Sequence, residues 1–383
     1  MKSMKPVLRI LGIRGIPANH GGFETFAEQL ALYLRDKGWR VVVYCQEDGF
    51  GEEFEDEWQG IERVRIPVAQ PGALGTIVFD WKSIAHASQF KDLCLTLGYN
   101  TAAFCARLRL HGIPNVINMD GIEWSRAKWG KVAKTWFWMN DWAGCWLGDH
   151  LIADHPEIKR HLTSRAPADK IEMIAYGAPE VLDAPVEPLR SLGLEAGRYV
   201  TVIARPEPEN SLLEIVKGFS CRPRGMKLAV LGKYEPDNRY HNAVLAAAGE
   251  EVLFLGAIYD KAVLKSLRFH SAFYLHGHQV GGTNPSLVEA MGAGNAVVAH
   301  DNRFNRWVAG SGARFFKSAD DLDSVLSALM THPGDIEEMR RKSRKRFNTD
   351  FTWGRILEQY ESLLTRFLPK PSVMLKPAAG RPN

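Results

Sequence analysis

The chain has 383 residues, 45% of them apolar and 24% charged, with a formal net charge of +4. That length exceeds one ordinary core and predicts two domains of roughly 200 residues each, while the dispersed Lys and Arg residues give no nucleic-acid footprint. The five cysteines (Cys45, Cys94, Cys105, Cys145, Cys221) are odd in number and form no CxxC pair, so a reducing cytoplasm fits better than a disulfide framework or a zinc site.

The chain opens on MKSMKPVLRILGIRG, a short apolar run broken by Arg9 and lacking a small-residue cleavage site; it reads as a first strand, Val7–Ile13, not as a signal peptide. A loop, RGIPANHGG, leads to a helix from about Phe23. There Phe23, Phe26, Ala27, Leu30, Ala31 and Leu34 recur at helical spacing until Gly38. Val41–Tyr44 returns as a strand, and this β–loop–α–β unit implies a parallel sheet. Residues 47–83 read as the least regular part of this half. Further strands are expected at Asn115–Met119, His150–Ala153 and Glu172–Ala175.

Residues 179–190, with Pro179, Pro185 and Pro188, read as a linker between domains at 1–178 and 191–352. The pattern then restarts, with short apolar strands at Tyr199–Ala204, Lys227–Leu231, Val252–Leu255, Phe273–Leu275 and Ala296–Ala299. Residues 353–369 hold an amphipathic helix expected to fold back on the N-terminal domain. The Pro-rich tail, 370–383, is expected to be disordered. No apolar stretch approaches the roughly 18 residues a bilayer span requires.

The stretch 273–301, FYLHGHQVGGTNPSLVEAMGAGNAVVAHD, concentrates the chemistry. A strand runs into Gly281 and Gly282, which turn the backbone and expose its N–H groups. Asn284 is a good N-cap and Pro285 suits the first helical position. Free amides and the helix dipole attract phosphate there. Glu289, one turn in, can accept hydrogen bonds from vicinal sugar hydroxyls, so the unit reads as a nucleotide-sugar site. Arg14, Asp120, Asp154, Tyr176 and Arg205 each follow a predicted strand, where open α/β sheets bind ligands. Asp120 and Asp154 are the candidates to orient donor or acceptor hydroxyls, and Tyr176 to close over the site. His20 and His278 flank glycine turns and are weaker candidates. Asp321–Asp323 is the D-x-D match near a helix start and is read as chance. Six tryptophans fall between Trp124 and Trp146, with Arg126, Lys128, Lys131 and Lys134 interleaved. Such a surface suits an anionic membrane, whereas packed tryptophans beside solvated lysines are the competing reading.

GIRGIPANHGGFETFAEQL, NMDGIEWSRAKW, IAYGA, ARPEPEN, GGTNPSLVEAMGAG and HDNRFNR, in that order over about residues 8–310, resemble the retaining GT-B glycosyltransferases of family four. The set is most similar to the rhamnosyltransferase-type branch, which builds bacterial polysaccharides. The resemblance implies two facing Rossmann-like domains with a nucleoside-diphosphate sugar in the cleft. A hexose or deoxyhexose such as rhamnose would pass to a saccharide or lipid-linked saccharide, without metal or other cofactor. It assigns the ribose to Glu289, the diphosphate to Arg205, and phosphate or donor-sugar contacts to the Gly21–Gly22 turn and the amides of Gly282, Thr283 and Asn284. The chain departs from the pattern at Gly281 (a glutamate in the broad family), Asn210 (a lysine) and Trp307 (a glutamate in the branch). Side-chain stabilisation of the diphosphate would then rest on one cation. Those departures also fit a scaffold of the same fold that has lost catalysis. A nicotinamide-dependent oxidoreductase ranks last, because Gly12, Gly15 and Gly21–Gly22 lack G-x-G-x-x-G spacing.

Overall fold

A computed structural model describes residues 5–19 and 21–369. His20 and the tail 370–383, singled out above, lie outside the described residues.

The N-terminal strands are β1 Val7–Leu11, β2 Arg40–Asp48, β3 Phe54–Trp58, β4 Ile61–Val68, β5 Leu93–Leu97, β6 Asn115–Asn118, β7 His150–Ala153 and β8 Ile171–Met173. They form one sheet in the order β3-β4-β2-β1-β5-β6-β7-β8. All pairings are parallel except β3 with β4. The central strands are apolar on both faces, as a sheet covered by helices on each side requires; Leu8, Ile10, Leu93, Leu95, Val116 and Ile152 are all fully buried.

Residues 47–83 are more regular than their composition suggests. They hold the β3–β4 hairpin and most of a helix, Gly72–Ala87. The edge strand FEDEW is largely exposed, so it shows none of the apolar alternation that marks a half-buried strand.

The second sheet comprises β9 Tyr199–Ile203, β10 Lys227–Leu231, β11 Val252–Gly256, β12 Tyr274–His276, β13 Val297–His300 and β14 Arg314–Phe316. It is parallel throughout, in the order β11-β10-β9-β12-β13-β14. In both sheets the strand order reverses beside the first strand, so the crevice opens at the carboxyl ends of β1 and β9.

The chain crosses between the sheets twice. It leaves β8 through residues 179–186, which hold neither helix nor strand, and returns after the helix Pro333–Asp350. The two crossings are tied together, the Ala178 N–H donating to the Phe351 carbonyl at 2.9 Å and the Trp353 N–H to the Ala178 carbonyl at 3.3 Å. The last helix, Trp353–Arg366, then lies on the first helix, Gly22–Asp36. Phe26 and Tyr360 pack with ring centroids 4.5 Å apart, and the Tyr33 hydroxyl donates to Glu361 at 2.8 Å. Among the described residues no helix is long and apolar enough to cross a membrane.

Candidate functional site

A cavity of about 720 Å³ lies between the two sheets, lined by the loops that follow β6, β7 and β8 on one side and β9, β12 and β13 on the other. Of the residues the sequence singles out, Asp120, Asp154, Tyr176, Arg205, Gly22, Gly282, Thr283 and Asn284 line it. Gly21, Arg14 and Glu289 do not. Gly21 is the N-cap of the first helix, and the Arg14 N–H donates to Glu24 at 3.2 Å. Glu289 stands behind the lining on the helix Pro285–Gly292, ion-paired with Arg268.

The loop 281–284 is shaped as its composition demands. Asn284 caps the Pro285–Gly292 helix, its side chain accepting the Ser286 N–H at 3.0 Å. Gly281 has φ +132°, open to glycine and strained for other residues. Gly282 is required for a different reason: a Cβ there would collide with the Asp154 carboxylate. The close approach is a contact between domains. Asp154 Oδ2 accepts the Thr283 N–H at 2.8 Å, and the Thr283 hydroxyl donates to the Asp154 carbonyl. Asp154 thus occupies the Thr283 amide of the glycine-rich loop.

Asp120 lies opposite with φ +53°, a left-handed conformation that Asp tolerates better than most residues and that concentrates at functional sites. Its N–H donates to the Asn118 side chain at 3.0 Å. Burial raises the Asp120 carboxyl from its ordinary 3.8 to about 6, and raises Asp154 to about 7 with Asp120 adding to the effect. The cleft thus brings together two half-buried carboxyls whose mutual repulsion disfavours joint ionisation.

Arg205 follows β9 and is exposed at the cleft. Among the described residues it makes no ion pair, because Glu209 of its own loop is taken by Arg126 from the other domain. Asn210, where the broad pattern has lysine, is buried and supplies no charge; its amide donates to the Arg205 carbonyl at 2.8 Å and shapes that turn. A second guanidinium nevertheless reaches the cavity. Arg126 lines it, bonded to Glu209 at 2.9 Å and to Glu123 at 2.6 Å. Sequence reading counts this residue only among the charges interleaved with tryptophans. The signal available for it was WSRAKW, within a stretch that already carries the resemblance.

His278 also lines the cavity. It stacks on His276 with centroids 4.4 Å apart, and its carbonyl accepts the amides of Asn302 at 3.0 Å and Asn305 at 2.8 Å. HDNRFNR therefore pins the segment that leads from β12 into the 281–284 loop. Burial, with Arg205 and Arg126 nearby, lowers the His278 imidazole to about 3 and keeps it neutral. Tyr176 packs edge-on against Trp353 at 5.1 Å. Its hydroxyl is buried beside Thr25 and Glu289 without a well-formed hydrogen bond, and burial pushes its ionisation far up. Trp307 packs on His155 at 4.7 Å and on Phe351 at 5.8 Å, so it fills the seam where the domains meet. Asp321 closes a capping box with Ser318, and Asp323 pairs with Arg222 and Arg224; the D-x-D match is structural.

Comparison with known proteins agrees with this layout. Residues 4–179 match a domain of unknown function, DUF1972, and residues 210–362 match the family described as glycosyl transferase-like. No curated protein matches the sequence. Among solved structures, sucrose-phosphate synthase from Thermosynechococcus elongatus superposes with a TM-score of 0.78 at 17% identity, over 94% of this chain and 99% of its own. Anabaena HepE in complex with UDP-glucose gives 0.75 at 14% identity, over 94% and 99%. The α,α-trehalose-phosphate synthase of Burkholderia xenovorans with glucose-6-phosphate gives 0.72 at 12% identity, over 94% and 100%. The fold is GT-B, two facing Rossmann-like domains, as the motifs imply. Fold and family match together define the class of the protein: it is a glycosyltransferase enzyme of the GT-B type.

Proposed function

We propose that the enzyme moves a hexose or deoxyhexose, rhamnose in the first instance, from a nucleoside-diphosphate sugar to a saccharide or lipid-linked saccharide with retention at the anomeric carbon. The observation that carries the reading is Arg205, without a carboxylate partner among the described residues, lining one interdomain cavity together with the glycine-rich 281–284 loop. HepE binds UDP and UDP-glucose in structures of the same fold, which supports a nucleotide-sugar donor.

In this reading the bond from C1 to the diphosphate oxygen breaks, the bond from C1 to the acceptor oxygen forms on the same face, and the acceptor proton passes to the departing diphosphate. Catalysis is then positioning plus stabilisation of charge on the leaving oxygen. Arg205, Arg126 and the loop amides supply that stabilisation, so we propose that no metal is needed. The donor must displace Asp154 from the Thr283 amide, which frees Asp154, with Asp120, to hold sugar or acceptor hydroxyls. For Glu289 to take the ribose it must leave its Arg268 pair and reach past the lining beside Tyr176.

A lipid-linked acceptor accords with the helix Lys131–Leu147. Trp124, Trp129 and Trp136 are bonded inward through their indole N–H groups. Val132, Trp138, Met139 and Trp146 are exposed, near Lys131 and Lys134. Membrane contact through 124–146 is proposed for that exposed face.

Thermal shift against UDP, dTDP, GDP and their sugars tests the donor, followed by transfer assays with and without EDTA. One nucleotide should raise the unfolding midpoint in proportion to the logarithm of its concentration. Arg205→Gln should reduce turnover by about 10²-fold or more, and EDTA should not. Absence of a shift with every nucleotide would overturn the reading, and binding without turnover would favour the scaffold.

A further inference from the structure

The opposite edge of the second sheet carries another cavity, of about 700 Å³, that shares no lining residue with the first. Its floor is the Gly197 turn before β9 and the ends of the helices Lys261–Phe269 and Pro285–Gly292; its wall is the helix Pro333–Asp350. Donor chemistry at the carboxyl ends of β9, β12 and β13 is therefore separated from it by the length of the sheet.

The wall is basic. Arg340, Arg341, Arg344 and Lys345 line the cavity, with Glu337 the one acidic residue in its lining. Arg340 is committed to the fold, donating to the carbonyls of Ser271 at 3.0 Å and Ala272 at 2.8 Å and to Glu337 at 3.3 Å. Arg341 pairs with Glu338 at 2.8 Å. Among the described residues Arg344 and Lys345 have no carboxylate partner, although both are exposed to the cavity. The Arg344 guanidinium also occupies space kept clear by Gly294, where a Cβ would collide with it. Positive φ alone calls for glycine at 294, and the vacant Cβ position lets the guanidinium lie against the backbone.

A guanidinium and an ammonium lining one cavity, neither with a carboxylate partner among the described residues, suit the charge of a phosphate group. The cavity exceeds what one phosphate fills and has an apolar side at Phe269 and Ala293. We propose that this cavity binds a phosphate ester, with the phosphate on Arg344 and Lys345 and a small organic body against Phe269. A soluble phosphate ester and a phospholipid headgroup share that chemistry.

Calorimetric titration of the full chain with glycerol 1-phosphate, beside sedimentation with phosphatidylglycerol or phosphatidylcholine vesicles, tests the site. Wild type and Arg205→Gln should bind alike, and Arg344→Gln/Lys345→Gln should bind at least about tenfold more weakly at an unchanged unfolding midpoint. Saturable glycerol 1-phosphate binding identifies a soluble ligand. Binding of phosphatidylglycerol vesicles alone, lost in the same double variant, identifies a headgroup. No binding of either probe, or equal binding by the double variant, overturns the proposal. Binding lost in Arg205→Gln but kept in the double variant places the phosphate in the interdomain cavity, which overturns this site and leaves the donor reading standing.

Discussion

Asp120 and Gly282 carry separable constraints. The left-handed backbone at Asp120 is tolerated by Asp and Asn through their short polar side chains. Asp120→Asn should therefore not lower the unfolding midpoint, yet should lower turnover by about 10²-fold; unchanged turnover removes the carboxyl from the chemistry. Gly282→Ala adds one methyl against the Asp154 carboxylate. It should hold the cleft open, seen as a larger radius of gyration in solution scattering, and Asp154→Ala in the same chain should restore the compact form. A compact single variant would show that the loop yields instead. The glycine pair was legible in the sequence as a turn, but the reason for its second member was not. That reason is a carboxylate 128 residues away on another sheet.

At the scale of the element, the last helix contributes a side chain to a cavity formed by loops distant from it in sequence. Tyr360 is buried and lines the interdomain cavity, its hydroxyl accepting from Asn118 at 2.7 Å. Tyr360→Phe should cost about 1 kcal/mol and Tyr360→Ala about 3 to 5 kcal/mol in denaturant unfolding, because the second also leaves a void against Phe26. Equal losses would mean that the ring packs little. The amphipathic spacing of WGRILEQYESLLTRF identified this helix well. Strands buried on both faces, such as KLAVL, were equally readable as short apolar runs. Polar FEDEW on the sheet edge and three-residue RFF carry too little pattern to register. The helix GALGTIVFDWKSIAHA was hidden by two glycines and β-branched residues that favour a strand. Arg126 escaped assignment because its partner Glu209 belongs to the other domain, and its local pair with Glu123, three residues earlier, does not by itself mark a cleft residue.

For the whole molecule, the paired carboxyls make the closed cleft sensitive to pH. Asp120 and Asp154 titrate at about 6 and about 7 in the closed, ligand-free state, above their ordinary 3.8. Between pH about 4 and 7 the folded protein binds more protons than the unfolded chain, so their contribution to stability is present at low pH and lost as pH rises through that window. The unfolding midpoint of the wild type should fall relative to Asp154→Asn between pH 4.5 and 7 and run parallel above 7.5. A constant gap would show that the cleft is hydrated enough to ionise both. The double crossing at Ala178 and Phe351 has its own mechanical result. A door hung on two pins swings about one line and neither slides nor twists, so opening of the cleft is expected to be a rotation about the axis through those residues. It follows too that cutting the chain within 179–186 would leave the halves covalently joined through the second pin, but free to turn about more than one line.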